Sequence, residues 1–317
     1  MSGIVDLSIE EGCQFFSVGM EHSFQVYDCD PIRRRYFQEF SNFQLTHVAS
    51  NSEATITCFS AIPIGSSNSS NSSNTLYIWS NFFSSYNDQI SFDEPIHKLI
   101  IRGNYLIIIL ESSVCIYDLE SQQQILEQVT DSNPNAAGDF ISAIGFKKMA
   151  ICGLVPGAVQ VITIGKEGRP VYFQAHTHRL TQIRFSPDSS LISTASEEGT
   201  LIRLHDSLTG SCLSVYRRGM VSNKIISLCF SRESSKLIAL SSQGTLHLFD
   251  AKSRKMKSDD DGERAFSKIK IEKEIGAEIA FKTDYDGIII GKSGILRAIH
   301  ANDLQIEITS SSLFLSH

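Results

Sequence analysis

Short apolar runs bounded by Gly, Ser, Asn and Asp recur along the whole chain. The first are Ile4-Val5-Asp6-Leu7-Ser8-Ile9, Phe15-Phe16-Ser17-Val18-Gly19 and Ser23-Phe24-Gln25-Val26-Tyr27. Short runs of this kind between polar turns predict β-strands. Further strands are expected at 55–59, 75–79, 96–101, 105–110, 114–119, 141–146, 149–154 and 159–164. The segment 119–129 could pass for a short amphipathic helix, but it reads as a strand tail and a turn. No helix is needed anywhere, and the chain is expected to be all-β.

A repeat sharpens this picture. Phe185-Ser186-Pro187-Asp188-Ser189-Ser190, followed by Ser196-Glu197-Glu198-Gly199-Thr200-Leu201, returns as Phe230-Ser231-Arg232-Glu233-Ser234-Ser235 and Ser241-Ser242-Gln243-Gly244-Thr245-Leu246, at a constant spacing of 45 residues. Apolar strands that end at Gly-Thr turns, repeated near that length, describe a four-stranded blade of a β-propeller. The 317 residues accommodate seven such units in a single WD-repeat-like domain. They are expected at about 4–40, 43–91, 93–130, 138–173, 176–216, 222–275 and 276–313. Residues near the N-terminus are expected to complete the seventh blade, because closure removes exposed sheet edges.

Composition bounds the class. Apolar residues make up 42% and charged residues 20%, which suits a soluble globular protein. Met1-Ser2-Gly3-Ile4-Val5-Asp6 has neither the basic region nor the apolar run of a secretory signal, and no stretch approaches the apolar length of a membrane span. A cytoplasmic location is expected. The polar stretch Gly65-Ser66-Ser67-Asn68-Ser69-Ser70-Asn71-Ser72-Ser73-Asn74 reads as a hairpin loop, and its two Asn-Ser-Ser sequons should not meet the glycosylation machinery. Seven scattered cysteines without a Cys-x-x-Cys pair read as small core residues in a reducing compartment, and no metal site or cofactor is expected.

The net charge of −7 argues against generic attraction to nucleic acid or to an anionic surface. Any anion site must therefore be local. Arg33-Arg34-Arg35 forms one small basic cluster, which reads first as a solvated strand edge. The other basic feature, Tyr216-Arg217-Arg218-Gly219, stands between the two copies of the repeat. Successive strand residues point to opposite faces, so one guanidinium is expected to turn toward each copy. Arginine's planar fork suits phosphate oxygens, with hydroxyls and backbone N–H groups completing a cradle. Taken singly, these residues are ordinary turn and edge residues. It is their combination that points to phosphate. No nucleophile elbow, metal-ligand cluster or phosphate-loop motif suggests an enzyme.

The stretch Ser-x-x-Gly-Thr-Leu-Ile-Arg, Tyr-Arg-Arg-Gly and Ser-x-x-x-Thr-Leu-His resembles the signature of the PROPPIN family, seven-bladed propellers that bind phosphoinositides. Here Tyr216 stands where the family has Phe, adding a hydroxyl to the ring. The resemblance implies two pockets. One would use His176, Thr194, Ser196, Gly199, Thr200, Arg203 and Arg217. The other would use Arg218, Ser241, Thr245 and His247, with Gly219 letting the chain turn. It also implies a bilayer contact in the loop 251–268, where Met256 and Phe266 are the apolar candidates and the aspartates oppose insertion. The implied partners are phosphatidylinositol 3-phosphate, phosphatidylinositol 3,5-bisphosphate and autophagy or trafficking proteins, met peripherally on phagophore, endosomal or vacuolar membranes. A WD-repeat scaffold gripping an acidic peptide without lipid is the alternative.

Overall fold

The computed structural model describes residues 3–65, 73–143, 145–166, 168–252 and 262–315. Among these, every regular element is a strand. The strands form seven sheets in chain order, antiparallel apart from one short parallel pairing, the architecture of a seven-bladed β-propeller. The chain divides into two compact units: residues 1–128 with 290–296 and 312–317, and residues 129–289 with 297–311.

In the first unit, the opening blade pairs Ile4–Ile9, Phe15–Met20, Ser23–Cys29 and Ile32–Glu39 in order. This corrects the expectation that the N-terminal strand joins the seventh blade. That blade takes all four of its strands, Ala277–Phe281, Asp286–Gly291, Ile295–Ala301 and Ile306–Leu313, from the C-terminal segment. The two chain ends meet through side chains instead. Lys292 Nζ donates to the Val5 carbonyl, and the Phe314 ring meets Phe16 edge-on at 5.0 Å. The unit's core is aromatic around Phe24, Phe40, Phe43, Phe59, Tyr77 and Trp79, and aliphatic around Leu99, Leu106 and Ile108. In the basic cluster, Arg35 pairs with Asp28, and Arg34 lies over the Phe37 ring at 5.3 Å.

In the second unit, the fourth blade contains Gly138–Ala143, Phe146–Cys152, Ala158–Thr163 and Val171–Gln174. The strand expected at 141–146 therefore spans a turn, and its inner strand begins earlier. Asn133 sets that start: its Oδ1 accepts the Ala137 N–H at 2.9 Å and its Nδ2 donates to the Ala137 carbonyl. The Cys152 thiol here, like that of Cys115 in the first unit, is pushed up to about 12, chiefly by burial, as suits small core residues rather than reactive ones.

The 45-residue repeat is visible in hydrogen bonds as well as in letters. In the fifth blade, Leu180–Phe185 leads to Leu191–Ser196 through a turn in which Ser189 N–H donates to the Ser186 carbonyl at 2.8 Å. The Ser186 hydroxyl accepts the Leu191 N–H at 2.9 Å. In the sixth blade, Ser234 donates to Ser231 at 2.9 Å, and Ser231 Oγ accepts the Lys236 N–H at 3.0 Å. Ser189 and Ser234 share a left-handed backbone, with φ of 58° and 57°.

Candidate phosphate-binding site

The doubled arginine ends Cys212–Arg217, the outer antiparallel strand of the fifth blade. Its position is set by Tyr216. That ring is fully buried, packs on Phe249 of the sixth blade at 5.0 Å, and its hydroxyl donates to the Asp250 carbonyl at 2.9 Å. The hydroxyl that distinguishes this tyrosine from phenylalanine therefore ties one blade to the next. A feature missed by sequence reading adds to this. Glu263–Arg264, in the loop after the sixth blade's third strand, lies parallel to Tyr216 and Arg217 as a fifth strand of the same sheet. Two charged residues between Gly262 and Ala265 carry no periodicity that could have announced it.

On the fifth-blade side, three of the expected residues form a closed chain. Arg203 Nη1 donates to the Ala175 carbonyl at 3.0 Å and to His176 Nδ1 at 2.8 Å. Because that nitrogen accepts, a neutral imidazole carries its proton on Nε2 and donates to Thr194 Oγ1, 3.0 Å away. His176 is held down at about 3 by burial first and by the Arg203 charge second. Ser196, Gly199 and Thr200 form the adjoining turn, in which Gly199 N–H donates to the Ser196 carbonyl at 2.9 Å. Gly199 has a φ of +57°, and a Cβ there would stand 2.0 Å from the Asn223 carbonyl oxygen. Only glycine fits.

On the sixth-blade side, Gly244 repeats this device. Its φ is +79°, and a Cβ there would stand 2.6 Å from the Ile271 carbonyl oxygen. Gly244 N–H donates to the Ser241 carbonyl at 2.8 Å, and Ser241 Oγ accepts from Thr245 N–H at 3.3 Å. His247 is buried, and its Nδ1 has no hydrogen-bond partner among the described residues. Burial first, then the charges of Lys268 and Arg218, hold it down at about 4.

The two arginines differ in kind. Arg217 is half-buried, with Nη1 3.7 Å from Met220 Sδ. Arg218 is only 9% exposed. Its Nε donates to the Gly199 carbonyl at 2.8 Å, and its Nη2 donates to the Val221 and Asn223 carbonyls at 2.6 and 3.3 Å. It thus clamps the fifth-blade turn and the linker that follows, and its charge is felt at His247. Gly219 has no positive φ, and a Cβ there would meet nothing within 4 Å. The expected turn-forming role of this glycine therefore has no steric basis.

Met256 falls outside the described residues. Phe266 is 41% exposed and borders a cavity of about 500 Å³. In that cavity Lys236 Nζ sits over the Tyr285 ring at 4.4 Å and bridges to Asp284 and Asp303 at 3.3 and 3.2 Å. Among the described residues no His, Cys, Asp or Glu group is arranged to hold a metal ion, and no helix is long and apolar enough to cross a membrane.

Seven sheets, six of four strands and the fifth extended by a short parallel strand, with matching Ser…Gly turns in the fifth and sixth, define a β-propeller built on WD-type blades. Its fold is similar to that of Hsv2 from Kluyveromyces lactis, with a TM-score of 0.79 at 18% identity over 98% of this chain and 99% of that one. It is equally similar to a complex of KlAtg21 with the coiled-coil of AgAtg16, with a TM-score of 0.80 at 18% identity. The family model of the PROPPINs matches residues 49–268, and the chain belongs to that family. Autophagy-related protein 18e of Arabidopsis thaliana is 24% identical over 251 residues, 78% of this chain. SVP1-like protein 2 of Eremothecium gossypii is 22% identical over 278 residues, 77% of this chain. The chain spans 65% of the length of the first relative and 69% of the second.

Proposed function

We propose that this protein is a peripheral membrane scaffold that reads 3-phosphorylated inositol lipids through two pockets flanking Arg217-Arg218. One observation carries the reading. In a chain of net charge −7, Arg217 and Arg218 stand between two turns of one backbone design, Ser196–Gly199 and Ser241–Gly244, with Arg203 bonded to the buried His176 on one side and the buried His247 on the other. Cations gathered around a neutral, hydrogen-bonding ring form a local positive field with donors ready for phosphate oxygens, against the field of the whole molecule.

Phosphatidylinositol 3-phosphate and phosphatidylinositol 3,5-bisphosphate are the lipids this chemistry suits. Attachment to phagophore, endosomal or vacuolar membranes in autophagy follows, with recruitment of a coiled-coil partner of the kind bound by KlAtg21. Vesicle flotation tests the reading. Vesicles carrying phosphatidylinositol 3-phosphate should recruit the protein, and increasing salt should release it. Phosphatidylserine vesicles should recruit it poorly. Equal recruitment by both would leave the protein-only scaffold as the function. Calorimetry with soluble inositol 1,3-bisphosphate should count two sites, and a single site would refute the paired pockets.

A further inference from the structure

The linker that follows the doubled arginine carries an exposed apolar pair. Met220 is 77% and Val221 is 76% exposed, in a segment whose neighbours are otherwise polar. Two bare aliphatic side chains in a tight linker do nothing for the core, so their placement calls for a partner surface.

Their backbone is nevertheless firmly held. Arg218 Nη2 donates to the Val221 carbonyl at 2.6 Å, and Ser222 Oγ and Asn223 N–H both donate to the Glu198 carbonyl, at 3.1 and 3.0 Å. Ser242 Oγ donates to Asn223 Oδ1 at 2.5 Å. The side chains of Met220 and Val221 thus project from a braced support rather than a slack loop. On the other side, Met220 Sδ lies 3.7 Å from Arg217 Nη1. Guanidinium groups and bare aliphatic side chains therefore meet at one place.

We infer that Met220 and Val221 form a membrane wedge that enters the acyl boundary of the bilayer while the neighbouring arginines hold lipid phosphate. This inference rests on the lipid reading above and adds a hydrophobic contact to it. An anionic lipid offers this pairing of chemistries: a phosphate at the headgroup level and hydrocarbon just beneath it. Insertion removes the two side chains from water, and bracing by Arg218 means that little ordering has to accompany it. The carboxylates of Glu197 and Glu198, both exposed on the adjoining turn, limit how deep the wedge can go. A shallow, interfacial position follows.

The test uses Met220→Ser with Val221→Ser, and separately Val221→Trp. The serine variant should bind phosphatidylcholine vesicles doped with phosphatidylinositol 3-phosphate about tenfold more weakly than wild type. Its calorimetric affinity for inositol 1,3-bisphosphate should be unchanged. The chain has one tryptophan, Trp79, which is 5% exposed, so a tryptophan at 221 reports its own surroundings. Its emission should shift to the blue on the same vesicles and be quenched by brominated acyl chains. A serine variant that binds those vesicles as well as wild type overturns the wedge, whether or not it loses a protein partner. A tryptophan at 221 that stays water-exposed on bound vesicles overturns it too. If wild type binds neither vesicles nor headgroup, it is the lipid reading itself that fails.

Discussion

The fifth and sixth blades are two copies of one sequence pattern, yet they handle polar groups differently. Their strand-joining turns share hydrogen bonds donor for donor, from Ser189 and Ser234 N–H to the first-serine carbonyls and from Leu191 and Lys236 N–H to the first-serine hydroxyls. Their glycine turns coincide as well. The divergence is in the side chains around these turns. In the fifth blade His176, Thr194 and Arg203 satisfy one another in a closed chain. In the sixth, the buried Nδ1 of His247 has no hydrogen-bond partner among the described residues, and the ring feels the charges of Lys268 and Arg218. A repeat specifies a backbone, and what each copy can bind is decided by a few side chains set on it.

The strongest way to break this comparison is to remove both cations at once. Arg217→Thr with Arg218→Thr should lower vesicle affinity by roughly 10²–10⁴, because two engagements on one body lose their mutual reinforcement. Flotation on vesicles containing phosphatidylinositol 3-phosphate measures this, and a loss of less than tenfold would show that the arginines are not the shared element.

The glycine turns sharpen the comparison next. Gly199→Ala should destabilise by about 3 kcal/mol or more and Gly244→Ala by less, since the new methyl meets the linker carbonyl at 2.0 Å in one and 2.6 Å in the other. Denaturant unfolding that ranked them the other way would mean that the linker after the fifth blade yields more readily. The single arginine variants should also separate. Arg218→Thr strips a charged donor from three carbonyls and should cost roughly 2–3 kcal/mol, whereas Arg217→Thr should leave the melting temperature nearly unchanged. Equal melting temperatures would deny Arg218 its role as a clamp.

Smaller effects concern the tyrosine and the histidines. Tyr216→Phe removes one hydrogen bond to the Asp250 carbonyl and should cost about 1 kcal/mol, with lipid binding intact. A larger loss would mean that the hydroxyl also positions the arginines. His176 and His247 titrate below the ordinary histidine range in the folded protein, at about 3 and 4. The unfolded chain therefore takes up their protons first. The stability they contribute is fully present above about pH 6.5 and declines as pH falls toward 4. The drop in melting temperature between pH 7 and pH 5 should be smaller in His176→Gln, whose amide can serve both Arg203 and Thr194 without titrating. An unchanged drop would place the pH dependence elsewhere.

Much of this protein was legible in its sequence because the repeat is local. Strand alternation, Gly-Thr turns and the 45-residue spacing are properties of neighbouring residues, and they determined an all-β propeller and placed Tyr216-Arg217-Arg218 between two blades. The family signature followed from the same contiguous letters. What lay beyond reach depends on contacts between segments far apart in the chain. The tyrosine hydroxyl finds Asp250, Arg218 Nε finds the Gly199 carbonyl, and Glu263–Arg264 lies alongside the arginine strand. The N-terminal strand stays in its own blade, where Ile4–Ile9 pairs with Phe15–Met20. Short-range pattern reports which backbone conformations the chain favours. Only tertiary packing decides which polar groups are satisfied and which are left for a ligand, because a hydrogen bond is settled by where donor and acceptor meet and not by their distance in sequence.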